Sequence, residues 1–477
     1  MKKRLLPLVL SLLLMAGCTP PPEHSPSPTP EPDPTPVAGM DFDAFLEEVN
    51  ETRRSSLMQV SNIDLTPYTP EYADEMGTFS QEEMDRLLTP HELEAPLTLE
   101  TAQEDVDTFF TLLRTTYGPY WYFGGDETFL PIREQVMAAL EEEAEGHILL
   151  SQTLQDLLAD ALSPVLQDGH FTIGTRRVNQ DRKMYTYYVP GLYLSDAEGL
   201  DPDYVKPTIG PEGQICYGFY ALSHDGTDLP DTLGGYDLSW QPCTIGGRPD
   251  SMVFKETEYQ GIPVLVSRRM EAATPEQEQQ LEQFQSCGQD YQDVPLLCFD
   301  VRSNPGGYST YGMEWFRGFT GAYPDRCEIF IRKYGDLARE VSRRFALEHP
   351  DDSPVELPEP GQWHLSVSEG TWHNREGVTF VLMDRGTASA GEDMVTNFRT
   401  VDNSLFVGTN TSGCYLGASN NTYYLPNTGL PVYMAQAVDM VGGTENRDGT
   451  GFLPDLWVNP PDALDAVARL CDYYGLK

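Results

Sequence analysis

Two stretches of the chain, Val294–Val301 (VPLLCFDV) and Gly377–Asp384 (GVTFVLMD), are apolar at almost every position over the length of one strand. Unbroken apolarity at that length predicts strands covered on both faces, as in the parallel part of an α/β sheet. Upstream, over residues 40–175, the apolar positions recur at helical spacing. Thr101 and Glu104 predict a capping box for a helix that carries Val106, Phe109, Phe110 and Leu113 on one face. A second helix is predicted to start near Ser151, with Leu154, Leu157, Leu158, Ala161, Leu162 and Val165 on its apolar side. It leads into LQDGHFTIGTRR, where a helix end, a glycine turn and a short alternating strand follow one another and place His170 at a helix-to-strand corner. Residues 176–290 are rich in Tyr, Gly, Pro and Asp, with short runs such as QICYGFYAL and GIPVLVSRRM. They predict a β-rich middle segment, followed over 291–477 by an α/β core.

The first residues follow a different pattern. MKKRLLPLVLSLLLMAGC has a basic start, an apolar run from Leu5 to Met15 and small residues before Cys18. The run is shorter than the ~20 residues a spanning helix needs, so residues 1–17 are expected to be an export signal. Leu14-Met15-Ala16-Gly17-Cys18 resembles the lipobox of bacterial lipoproteins, which implies cleavage before Cys18 and lipidation of that cysteine. The following Thr19–Pro36, TPPPEHSPSPTPEPDPTP, has no apolar side chain able to join a core beyond its prolines. With its flanks it predicts an extended spacer over residues 18–39. An extracytoplasmic chain held to the cell membrane by its N-terminal lipid is the expectation.

Composition narrows the partners. The chain has 31 Lys and Arg against 74 Asp and Glu, a formal net charge of -43, which excludes a phosphate backbone as partner and any electrostatic attraction to anionic lipid. Seven cysteines besides Cys18 show no C-x-x-C spacing, and the histidines and acids show no H-E-x-x-H pattern. No metal and no other cofactor is expected.

The chemistry gathers where the two apolar runs end. One leads into Arg302-Ser303-Asn304-Pro305-Gly306-Gly307, whose paired glycines let backbone N–H groups face a cavity, as an oxyanion hole requires. The other leads into Thr387-Ala388-Ser389-Ala390-Gly391, a serine among small residues at the start of a helical pattern. The segments LQDGHFTIGT, LLCFDVRSNPGG, VTFVLMDRGTASAGED, LFVGTNTSG and YYLPNTGLPV…GTENRDGTGFLPDLWV occur in the order found in the S41 serine peptidases, the C-terminal processing and tricorn-type proteases. The resemblance covers residues 95–460. It implies a crotonase/ClpP-like α/β core, peptide or protein substrates, Ser389 as nucleophile and the amides of Gly307 and Ala390 around the oxyanion.

The base is where the sequence departs from one branch of that family. The processing branch places a lysine where this chain has Cys414, and the only lysine after Ser389 is Lys477. The tricorn-type branch uses a histidine, and its position matches His170. The same branch places a glutamate just before the G-x-x-P-D turn, which points to Glu445; the spacing here is longer than in that pattern, which keeps Asp448 as an alternative and Asp168 as a weaker one. The expected activity is therefore a Ser-His-Glu endopeptidase acting through an acyl-enzyme. The competing expectation is a lipoprotein on the same scaffold that binds a peptide or an apolar ligand without turnover. Nothing in the pattern indicates an oligomeric state.

Overall fold

The computed structural model describes residues 37–57, 60–71, 79–91, 96–145, 148–179, 182–247, 252–348 and 361–477. The expected signal over 1–17, Cys18 and the spacer up to Pro36 lie outside them. No described helix is long and apolar enough to cross a membrane.

The two apolar runs form neighbouring parallel strands, Leu296–Asp300 and Val378–Met383, in a ten-stranded sheet. Ile262–Ser267 flanks them on one side and Ser404–Gly408 on the other, both parallel. Their continuous apolarity has a direct cause. Leu296, Cys298, Phe380, Leu382, Leu405 and Val407 point to one face, against Phe42, Phe45 and Leu46 of the helix Phe42–Leu57 and the apolar side of Ala463–Tyr474. Leu297, Phe299, Val381, Met383 and Phe406 point to the other, against the helices Ser309–Thr320 and Ala390–Phe398. With both faces covered, nearly every position is apolar, and the polar exceptions Asp300, Thr379 and Ser404 are themselves buried.

The same sheet takes in Tyr185–Leu194, Ile215–Ser223 and Val205–Ile209 as largely antiparallel strands on one edge, and Phe254–Tyr259 on the other. The β-rich middle segment thus contributes directly to the sheet of the core. A second, antiparallel sheet is built around Pro431–Val441, which pairs with Gly417–Tyr424, Glu328–Tyr334 and the short strand Thr172–Ile173. The helices Leu99–Thr116, Gly125–Ala144 and Ser151–Leu162 pack on this sheet, where Phe109, Leu158 and Phe171 share a core with Tyr423, Val432 and Met434. The second helix starts where the sequence predicts. The first starts one turn earlier: Thr98 is its cap, exchanging hydrogen bonds of 3.1 and 3.2 Å with Thr101. The chain is extended up to that point because Leu97 bridges to Leu149.

Candidate active site

The parallel strands Leu296–Asp300 and Val378–Met383 end in register, so the turns that follow them emerge side by side. Asp384 is buried and ties them together. Its Oδ1 accepts the N–H groups of Ser303 (2.7 Å) and Gly386 (2.8 Å), and its Oδ2 accepts the Ser303 hydroxyl (3.0 Å). Asn304, also buried, adds a second tie. Its carbonyl takes the Ala388 N–H at 2.8 Å, its side-chain oxygen takes the Gly306 N–H at 2.9 Å, and its amide nitrogen reaches Ser267.

Ser389 sits on the strained end of this assembly, at φ 51° and ψ -124°. That region is disfavoured for a residue with a Cβ and costs on the order of 1–3 kcal/mol. Hydrogen bonds on both sides hold it. Its N–H is shared between the Cys414 carbonyl (3.2 Å) and Glu392 Oε2 (3.1 Å), and its carbonyl accepts the N–H groups of Glu392 (2.7 Å) and Asp393 (3.0 Å). The helix Ala390–Phe398 begins at the next residue, so the Ser389 hydroxyl stands at the positive end of a helix dipole. Gly306 (φ 102°) packs directly beneath: a Cβ there would fall 2.8 Å from Ser389 Cβ and 2.9 Å from the Ala390 nitrogen.

Ser389, Gly307 and His170 all open onto one cavity of about 1060 Å³, which Cys414 and Tyr433 also line. His170 arrives from the corner between Ser151–Leu162 and Thr172–Ile173. Cys414 joins the two sides: it bonds Ser389 through its carbonyl, and Gly169 packs so close that a Cβ there would lie 2.7 Å from Cys414 Cα and 2.9 Å from Sγ. Burial lowers the His170 pKa from its ordinary 6.5, with Asp168 acting in the opposite direction. The imidazole is thus mostly neutral near pH 7. Burial also holds the Cys414 thiol well above its ordinary range, so that side chain is a neutral filler rather than a base.

Three buried carboxylates surround this pair. Glu392 accepts from Thr411 Oγ1 (2.6 Å) and the N–H groups of Gly413 (3.0 Å), Cys414 (3.0 Å) and Ser389, and burial pushes its pKa up to about 7. Asp448 accepts the N–H groups of Gly169 (2.7 Å), Tyr415 (2.7 Å) and Leu416 (2.9 Å), clamping the His170 corner to the Cys414 segment. Burial, with Asp168 beside it, raises its pKa to about 8. Asp168 takes the His170 N–H at 2.8 Å and the Tyr117 hydroxyl at 2.8 Å. Glu445 is placed differently from the sequence expectation. Its side chain is 78% exposed, it pairs with Arg447 at 3.5 Å, and it does not line the cavity.

The model of peptidase family S41 matches residues 262–458. This chain carries a peptidase family S41 domain. The S41 domain includes Gly307, Ser389, Cys414 and Asp448, while His170 comes from outside the matched residues. S41 peptidases are serine hydrolases, so the matched residues are those of a hydrolase domain, and they lie in a mixed α/β fold. Among solved structures, the chain is similar to mature CPAF complexed with lactacystin, at 14% identity over 79% of this chain and 97% of that chain, TM-score 0.42. It is also similar to photosystem II D1 C-terminal processing protease (15%, 78% and 97%, TM-score 0.37) and to a lipoprotein from Streptococcus agalactiae (12%, 81% and 100%, TM-score 0.35). No curated protein matches the chain.

Asn304, Asp384 and Glu392 escape sequence reasoning. Each is a polar residue beside a turn, and nothing in its spacing distinguishes a buried hub from a solvated one. Glu392 in particular has the pattern of an ordinary acidic residue in a first helical turn.

Proposed function

We propose that the chain is a lipid-anchored, extracytoplasmic serine endopeptidase in which Ser389 is the nucleophile and His170 the base. The observation that carries this is the shared cavity: a strained serine at a helix N-terminus and a histidine of lowered pKa open onto it together, with Cys414 between their segments. A neutral His170 takes the Ser389 proton as the hydroxyl attacks the scissile carbonyl, then returns it to the leaving amine. The oxyanion falls to the backbone N–H groups of Gly307 and Ala390. Water hydrolyses the acyl-enzyme by the same proton route in reverse. Positioning of His170 belongs to Asp168, which accepts its N–H, and to Asp448, which accepts the N–H of the adjacent Gly169, rather than to Glu445.

The test is labelling with a fluorophosphonate and hydrolysis of a casein substrate. Wild type should label, and Ser389→Ala should lose both signals, with kcat/KM down about ten-thousand-fold. His170→Ala should lose turnover while keeping its thermal transition. Hydrolysis persisting in Ser389→Ala would end the assignment. For the anchor, Cys18→Ala should move the protein from the detergent to the aqueous phase of Triton X-114.

A non-catalytic peptide-binding role is favoured by one observation: the buried Nδ1 of His170 has no hydrogen-bond partner among the described residues. Failure of the wild type to label or turn over any peptide is the result that would select it.

A further inference from the structure

In a chain with 31 basic and 74 acidic residues, a cation near the active site has many carboxylates to pair with. Arg326, which lines the cavity, does pair: Asp393, Glu328 and Asp439 surround its guanidinium. Three other cations do not. Arg177 and Arg385 line the same cavity as Ser389, Lys183 lies within electrostatic reach of both, and among the described residues none of the three forms an ion pair.

Their origins are informative. Arg177 stands opposite Thr172 on the hairpin that follows His170, and Arg385 opens the turn that ends at Ser389. Each side of the catalytic pair thus supplies one guanidinium. Arg385 is held in place by stacking on Tyr185, 3.7 Å from the ring centroid. Lys183 is half-buried, and its amine is pushed below its ordinary pKa by burial and by the two guanidinium charges, with the Cys414 thiol acting in the opposite direction. Glu271 lines the cavity as well and, with Arg177, acts on the Tyr433 hydroxyl, but one carboxylate against three cations still leaves two positive charges in excess. Gathering like charges costs stability, and no ion pair among the described residues offsets it here. A preorganised cluster of this kind suits an anion, and guanidinium forks match a carboxylate in both geometry and charge.

We propose that Arg177 and Arg385 form a carboxylate-binding subsite of the catalytic cavity, selecting substrates that carry an Asp or Glu side chain, or a free C-terminus, close to the scissile bond. This rests on the cavity being a peptidase site. The test uses one fluorogenic peptide scaffold with Glu, Gln or Lys placed in turn on either side of the scissile bond, each made with a free and an amidated C-terminus. Glu peptides should exceed their Gln counterparts at least tenfold in kcat/KM, with Lys peptides lowest. In Arg177→Gln combined with Arg385→Gln the Glu-to-Gln ratio should fall at least tenfold, whereas Arg177→Lys should retain most of it. A preference that follows the free C-terminus and not Glu assigns the carboxylate to the chain end, and the converse assigns it to a side chain. The same peptides are titrated against Ser389→Ala by fluorescence anisotropy, a readout that needs no turnover. Equal affinity for Glu, Gln and Lys peptides, free and amidated, in that experiment overturns the subsite. An acidic preference in anisotropy with no labelling of wild type supports the subsite and overturns the peptidase chemistry.

Discussion

Gly306 shows how little room the nucleophile has. With φ at 102° and Ser389 Cβ 2.8 Å from where its own Cβ would stand, Gly306→Ala must displace the serine or the Ala390 amide. The expected outcome is a loss of about a hundredfold or more in kcat/KM with a cooperative thermal transition retained, as measured by steady-state kinetics and calorimetry. His170 predicts a pH profile. A base whose pKa lies below 6.5 is protonated only under more acidic conditions, so kcat/KM should hold constant from pH 8 down to 7 and fall through an apparent pKa below 6.5. A limb centred above 6.5 would mean that another group is the base. Ser389, Gly307 and His170 were legible in the sequence because each sits in a short motif whose residue types reveal the need for space or for a base. Glu445 follows from the residue type that the tricorn-type pattern places before its turn, although the spacing here is longer than in that pattern. Burial separates the two, one ion-paired to Arg447 in solvent and the other bonded to three amides, and burial of a carboxylate cannot be read from its neighbours in a chain with 74 acids.

Among the elements, the loop Ser412–Leu416 is held to the helix Ala390–Phe398 by Glu392 and to the His170 corner by Asp448. These clamps have a pH signature. Glu392 keeps its proton up to about pH 7 when folded, against an ordinary 4.5, so between those values the folded state binds more protons than the unfolded one. Stability contributed by this group is present at low pH and is lost as pH rises through about 7, with a slope near 1.4 kcal/mol per pH unit for one proton. Asp448 acts in the same direction up to about pH 8. Thermal melts at pH 5, 6, 7 and 8 should therefore show Glu392→Gln with a flatter decline than wild type; an unchanged slope would show that the carboxyl titrates normally. The parallel strands were legible as elements because burial on both faces leaves an unbroken apolar run. The strands of the second sheet were less so, since Gly417–Tyr424 (GASNNTYY) faces partly into the cavity and carries no clean alternation.

For the whole molecule, the helix Phe42–Leu57 is bound to the far end of the chain. Its Arg53 is buried, pairs with Asp455 and donates to the Ser404 carbonyl, and Asp455 in turn accepts the Phe406 N–H at 2.7 Å. Removing the cation leaves a carboxylate without its counter-charge inside the fold. Arg53→Ala should lower stability by about 3 kcal/mol, read as a reduced midpoint in urea with the m-value unchanged. Such ties were not visible in the sequence, because they join segments about four hundred residues apart. The proposed catalytic pair is assembled in the same way: His170 and Ser389 lie more than two hundred residues apart, and their segments approach across Gly169 and Cys414. A partly unfolded chain therefore holds the serine and the histidine apart, and any hydrolysis that needs both of them waits on the last tertiary contact to close.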